Sequence, residues 1–207
     1  MSHDSIIKAV PPVYGLLLAG GRSRRFGRDK AGIEVDGQAL LQRIFTLIDS
    51  ICDQVFVSVR ADQVDEALRK KYTLIADERP ELGPAGGILA AHAHCPDVAW
   101  FIAACDMPLL DEESIRLLVK SRRAEKGSTG YRSPLDGLPE PLCAIWEPAT
   151  LKKFRQRVES GGSLSPRDLL VDTNAELIDA ADARVLANVN TPAELEQLDL
   201  DESDPCN

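Results

Sequence analysis

Three short runs in this chain, residues 13–19, 55–59 and 99–104, are apolar, aromatic or small at almost every position. A strand with one face in water alternates polar and apolar side chains; these runs do not, so both of their faces must be covered. Helical patterns lie between them. One spans roughly 38–50, with Leu40, Leu41, Ile44, Leu47 and Ile48 on one face; others span 62–71, 85–95 and 111–123, the last with Asp111 placed to cap it. Residues 73–76 and 142–146 are shorter strand candidates. Repeated strand–helix–strand units imply an α/β fold of three layers around a mostly parallel sheet. Ligands of such sheets bind beyond the carboxyl ends of the strands.

At the end of the first run stand Gly20 and Gly21, followed by Arg22, Arg24, Arg25, Arg28 and Lys30. Adjacent glycines let the backbone turn sharply and approach a ligand without a Cβ in the way. Converging N–H groups and nearby cations suit an anion such as a polyphosphate. The segment is neither a P-loop, since Gly27 is followed by Arg28 and Lys30 by Ala31, nor a dinucleotide fingerprint, since Gly20 and Gly21 are adjacent. Taken alone, it also fits a basic surface turn.

The 207 residues carry a net charge of −9, which argues against a general nucleic-acid surface and makes the local basic cluster more telling. No apolar run approaches the roughly 18 residues that a bilayer span needs. The first residues lack the apolar core of a secretory signal. Five cysteines without paired spacing predict free thiols, with Cys52, Cys105 and Cys143 buried, and hence a cytoplasmic protein. One domain over 13–198 is expected, preceded by a flexible segment 1–12 and followed by an acidic tail 199–207. Residues 124–140, rich in glycine and proline, read as a loop or a two-stranded excursion that could act as a lid. A short helix near 166–171 follows Gly161-Gly162-Ser163, and Pro192 starts a final helix after Thr191.

Further candidates fall where strand ends should be. Asp77 follows 73–76, and Cys105-Asp106-Met107-Pro108 follows 99–104. A carboxylate beside a polyphosphate site is placed to hold Mg²⁺, which takes one or two carboxylates together with phosphate oxygens and water. Asp106 is the leading such residue, although a turn aspartate before Pro108 reads the same way. Gly83, Pro84 and Gly86 lie in a turn that would let a base or ribose pass close to the backbone, and equally in any tight turn. Asn188 to Pro192 could be a turn and helix cap alone. His92 and His94, two apart on a helix, do not share a face and are not promoted to a metal site. Lys152, Lys153, Arg155 and Arg157 read as a solvated face, unless they border the cleft and attract an anion there.

The ordered set is more specific than its parts. Leu18-Ala19-Gly20-Gly21-x-Ser23-x-Arg25-Phe26-Gly27-x-Asp29-Lys30 resembles the signature of nucleotidyltransferases, and within them the molybdenum cofactor guanylyltransferases (MobA family). The resemblance extends through Gly83-Pro84-Ala85-Gly86-Gly87, Ala104-Cys105-Asp106-Met107-Pro108, Glu140-Pro141-Leu142 and Asn188-Val189-Asn190-Thr191-Pro192, over roughly residues 13–198. It implies a Rossmann-like nucleotidyltransferase fold and transfer of GMP from GTP to the phosphate of molybdenum-loaded molybdopterin. It implies that Leu18, Ala19, Gly20 and Gly21 line the GTP site, that Lys30 and Arg25 contact phosphates, and that Asp77 contacts the nucleoside. Asp106 would bind Mg²⁺ and nucleotide, with Asn188 and Asn190 by the metal or the acceptor phosphate. Transient contact with cofactor-biosynthesis proteins or molybdoenzymes is implied as well. Phe26 stands where methionine is frequent, and Ser58 where several relatives have asparagine, which leaves Ser58 outside the candidate set. The competing readings are a relative using CTP or a sugar-phosphate acceptor, and a nucleotide-binding regulator without catalysis. Gly20, where many cytidylyl and sugar relatives carry alanine, favours the guanylyl branch.

Overall fold

The structure, a computed structural model, describes residues 10–21, 26–27 and 29–202, with side chains to residue 197. Arg25, residues 1–9 of the expected flexible segment and most of the acidic tail lie outside the described residues. In chain order the elements are β1 (Val13–Leu18), β2 (Glu34–Val35), β3 (Gln38–Ala39), α1 (Leu40–Asp49), β4 (Gln54–Arg60), β5 (Leu74–Asp77), α2 (Pro84–His94), β6 (Ala99–Ala104), α3 (Glu112–Lys120), β7 (Ser128–Arg132), β8 (Pro139–Trp146), α4 (Pro148–Glu159), α5 (Pro166–Asp172), β9 (Glu176–Ile178) and α6 (Pro192–Glu202).

The central sheet has seven strands in the order β5-β4-β1-β6-β8-β7-β9. β1 lies between β4 and β6, parallel to both, with Leu17 opposite Val57 and Ala103. β8 is antiparallel to β6 and to β7, and β9 is parallel to β7, so β8 alone runs against the rest. The expected three-layer, mostly parallel α/β architecture is therefore present. Its cause is visible in the alternation of side chains along each strand. Leu17, Val57, Val59, Phe101 and Ala103 pack with Leu41, Ile44 and Ile48 of α1 and with Ile115 and Leu118 of α3. Their neighbours Leu16, Phe56, Trp100 and Ile102 pack on the other face with α2, α4 and α5. Trp100 and Trp146 are fully buried there.

Small residues set how closely the layers approach. A Cβ at Gly15 would sit 2.3 Å from Ile48 Cγ2, so α1 rides directly on β1. α2 does the same on the opposite face, where a Cβ at Gly87 would lie 2.4 Å from Ser58 Oγ and 2.9 Å from Leu18 Cδ2. Asp111 caps α3 as expected, accepting from the Ser114 N–H at 2.7 Å.

Two expectations need correction. Residues 62–71 do not form an α-helix; a 3-10 turn over Ala61–Gln63 is followed by further turns. Val64, Leu68 and Tyr72 reach the core, but Arg69 is also fully buried, so this segment has no single polar face for a regular helix to present. Residues 124–140 follow the two-stranded alternative, inside the main sheet and not as an excursion from it. They begin with a 3-10 turn over Ala124–Lys126, continue as β7 inside the main sheet, and leave only 133–138 as a hairpin loop. The thiols of Cys52, Cys95, Cys105 and Cys143 are free; only Cys143 is fully buried, and burial pushes Cys52 and Cys105 up to about 12. Among the described residues, no helix is long and apolar enough to cross a membrane.

Candidate active site

The carboxyl ends of β1, β4, β5 and β6 open into a cleft of about 870 Å³, where the sheet topology predicts a ligand. Of the residues singled out from the sequence, Leu18, Ala19, Gly20, Gly21, Lys30, Asp77, Gly83, Pro84, Asp106 and Asn190 line it. Gly86 and Asn188 do not. Gly86 lies behind Asp77, where a Cβ would come within 2.5 Å of the carboxylate, so its role is close packing. Asn188 is exposed. Among the described residues, no group of three or more His, Cys, Asp or Glu side chains could hold a metal. The α4 cations also stay out of the cleft: Arg157 pairs with Asp172, and Arg155 points to the carbonyl of Leu89 at 3.5 Å.

Lys30 is where distant parts of the chain meet. Its ammonium donates to Asp106 Oδ2 at 2.7 Å, Asn190 Oδ1 at 3.0 Å and the carbonyl of Val189 at 3.1 Å. The Val189 N–H in turn donates to the Asp106 carbonyl at 2.9 Å, which docks the 188–190 turn onto the end of β6. Glu194 of α6 accepts from the Asn190 N–H at 2.7 Å and fixes the far side of that turn. The Lys30 and Asp106 side chains are 15% and 22% exposed, enough to meet a ligand while largely shielded from water.

At the other end of the cleft, Asp77 closes β5 and accepts from the Arg79 N–H at 2.8 Å. Burial raises its pKa above the ordinary carboxylate value, partly offset by that hydrogen bond. Gly83 precedes α2 with a φ of 61°, a left-handed conformation that a side chain would strain.

The described acceptors around Lys30 are oxygens, converging on one cation from a carboxylate, an amide and a carbonyl. That chemistry suits a hard divalent ion, but a single carboxylate is too few for an all-protein site. The residues therefore fit a metal shared with phosphate oxygens.

Several cleft residues lay outside the candidate set drawn from the sequence, among them Ser58, Arg60, Cys105 and Leu142, and one support was missed. Ser58 and Arg60 come from the end of β4, Cys105 from the residue after β6, and Leu142 from β8. Applying the strand-end rule to every parallel strand would have found Ser58 and Arg60. Arg60 Nη1 donates to the Gly20 carbonyl at 3.0 Å. Arg69, buried beneath the site, sits in a run of cations with no local sign of its role.

The family described as "MobA-like NTP transferase domain" matches residues 15–177. A molybdenum cofactor guanylyltransferase of Pseudomonas aeruginosa is 34% identical over 190 residues, covering 89% of this chain and 93% of that protein. A molybdenum cofactor biosynthesis bifunctional protein of Synechocystis sp. is also 34% identical, over 90% of this chain, which spans only 54% of that longer protein. Among solved structures, molybdopterin-guanine dinucleotide biosynthesis protein A from Archaeoglobus fulgidus superposes with a TM-score of 0.71 at 23% identity, over 92% of this chain and 98% of that one, a likeness of fold. With the family matched over most of its length, this chain belongs to the MobA-like NTP transferases.

Proposed function

We propose that this protein transfers GMP from GTP to the terminal phosphate of molybdenum-loaded molybdopterin, forming the guanine dinucleotide form of the cofactor and releasing pyrophosphate. The observation that carries the reading is the contact of Lys30 with Asp106 and Asn190 across 76 and 160 residues of sequence, beside the Gly20-Gly21 turn in the cleft. The names and coverage of the relatives support the guanylyl reaction.

In this reading an oxygen of the acceptor phosphate attacks the α-phosphorus of GTP, and the bond from that phosphorus to the pyrophosphate oxygen breaks. The acceptor is already ionised, so no general base is assigned. What the reaction demands is in-line alignment and compensation of negative charge. The Gly20 and Gly21 backbone cradles the phosphates, Lys30 places its charge beside them, and Arg25 joins from the same segment. Asp77, Gly83 and Pro84 take the nucleoside end, at β5 and the start of α2. Asp106, with Asn190 beside it, would hold the divalent cation that transferases of this family use, here Mg²⁺. When bound, that cation supplies Lewis-acid polarisation of the phosphate oxygens. Asn188, exposed and outside the cleft lining, keeps only a role toward an acceptor at the rim. Residues 13–198 act as one nucleotidyltransferase domain, working in the cytoplasm. Cofactor-biosynthesis proteins or molybdoenzymes meet it only transiently.

Gly20 favours GTP over CTP in this reading. That preference rests on the resemblance; in the structure a methyl group there would lie 3.1 Å from the Arg60 backbone nitrogen, so the turn and the end of β4 would have to part by a few tenths of an ångström. Pyrophosphate release, measured with each nucleoside triphosphate and molybdenum-loaded molybdopterin, tests the proposal. GTP should dominate. Dominant use of CTP overturns the guanylyl assignment, and no release with any donor overturns the enzymatic one.

A further inference from the structure

We infer that Arg69 is a positioning residue for triphosphate binding: buried and out of contact with the ligand, it ties both ends of the segment 20–29 together and neutralises Asp29 at the cleft wall. The inference rests on the nucleotide-binding reading of this cleft. Arg69 is 0% exposed, and it lies in the irregular stretch between β4 and β5. Its guanidinium donates to the Ala19 carbonyl from Nη2 at 2.9 Å and from Nε at 3.3 Å. It also holds Asp29 with two parallel bonds, Nη1 to Oδ2 at 2.6 Å and Nη2 to Oδ1 at 2.9 Å, and pairs with Glu66. Ala19 is the residue before Gly20, and Asp29 the residue before Lys30. One side chain therefore fixes where the basic segment leaves β1 and where it returns.

The second partner carries the consequence for function. Asp29 Oδ1 also accepts from the Ala31 N–H at 3.2 Å, capping the 3-10 turn Lys30–Gly32 from which Lys30 reaches Asp106. The aim of Lys30 thus depends on the Arg69–Asp29 pair. Ala19, Asp29 and Lys30 all line the cleft, whereas Arg69 does not. A carboxylate on the wall of a triphosphate site would repel the ligand; the guanidinium behind it, shared with Glu66, offsets much of that charge without occupying the site. Lysine cannot replace it, because an ammonium is a point charge and not a planar fork that binds a carboxylate and a carbonyl at once.

Repulsion from an uncovered Asp29 grows with the charge of the ligand, so the measurement is the ratio of GTP to GMP affinity. Isothermal titration calorimetry in Mg²⁺ gives that ratio for wild type, Arg69→Lys and Arg69→Met, with a thermal melt of each. An uncovered unit charge that repels the ligand by about 1.4 kcal/mol, the scale of two charges near a protein surface, corresponds to about tenfold in affinity. GTP binding should fall by about tenfold or more in Arg69→Met and by less in Arg69→Lys, which keeps the charge and loses the fork; GMP binding should fall much less, and Asp29→Asn added to Arg69→Met should recover part of the loss. Should Arg69→Met not fold, Arg69→Gln, uncharged but able to donate to the Ala19 carbonyl, carries the same comparison with and without Asp29→Asn. A purely structural arginine would lower the melting temperature and weaken GTP and GMP alike. An unchanged GTP-to-GMP ratio in the folded uncharged variant overturns the inference. If wild type itself binds no nucleoside triphosphate, the underlying reading of the cleft fails instead.

Discussion

Replacing Lys30 with alanine removes one cation from three oxygen atoms, and the structure allows the two consequences to be sized separately. The first is stability. Exposed ion pairs contribute up to about 1 kcal/mol, and breaking a buried one costs about 3–5 kcal/mol. The pair of Lys30 and Asp106, at 15% and 22% exposure, lies between these limits, so a loss of about 2 kcal/mol is expected. A domain of this size loses about 2–4 °C of melting temperature per kcal/mol, which gives a fall of about 4–8 °C. Domains are typically stable by about 5–15 kcal/mol, so the variant stays folded at 25 °C. The second consequence is catalytic. Removing one donor that stabilises developing charge costs about 10²–10³ in turnover. Unfolding cannot supply a loss of that size, so the two effects separate cleanly. Melting followed by circular dichroism, together with pyrophosphate release from GTP and molybdenum-loaded molybdopterin, measures both. Turnover within threefold of wild type in folded Lys30→Ala would refute the assignment of Lys30 to the phosphates.

Two further predictions test other parts of the molecule. Burial raises the Asp77 pKa in the folded state, so this carboxyl favours the fold when protonated and opposes it once ionised; its contribution is lost as pH rises from the unfolded value of about 3.9 through the folded one. Asp77→Asn should therefore gain melting temperature relative to wild type across that acid window and hold the gain at neutral pH, whereas a difference that is constant from pH 3 to 7 would contradict the cause given for the shift. Glu147, 4% exposed, pairs with Arg122 through bonds of 2.6 and 2.8 Å outside the cleft. Glu147→Gln should cost about 3–5 kcal/mol and lower the melting temperature by about 6–20 °C, with kcat per folded molecule unchanged; a loss of kcat without a loss of stability would tie this pair to the cleft.

What the sequence made legible was whatever carried its signal locally. β1, β4 and β6 are apolar on both faces, so each is readable as an interior strand without its neighbours. The start of α2 is readable because Gly83 and Pro84 mark it. β7 gives no such signal: Ser128, Thr129 and Gly130 look like loop residues, and Ser128 and Thr129 become buried only because β8 pairs with them and Tyr131 reaches the Ser114 carbonyl with its hydroxyl at 2.7 Å. β9 is three residues long and exists only as a partner of β7. In the cleft, motif matching reached the residues of the strand-end turns but could not tell Asn190, which meets Lys30, from the exposed Asn188 two positions away. Arg69 was illegible for a physical reason. In Arg69-Lys70-Lys71 one cation is buried and its neighbours are exposed, and only the position of Ala19 and Asp29 in space decides which.

The distribution of the site along the chain has one more consequence. The family match ends at residue 177, yet among the described residues Val189 and Asn190 both supply oxygens to the Lys30 ammonium. These residues are held from both sides, by the backbone of Asp106 at 2.9 Å and by Glu194 in the first turn of α6 at 2.7 Å. The last helix is thus not an appendage to a finished nucleotide-binding sheet. Its first turn sets where Asn190 stands, Asn190 helps to set where Lys30 points, and Lys30 determines the charge beside Asp106. The lysine and the carboxylate that a motif search reads as two separate marks are one unit, completed by the segment 189–194 beyond the matched region.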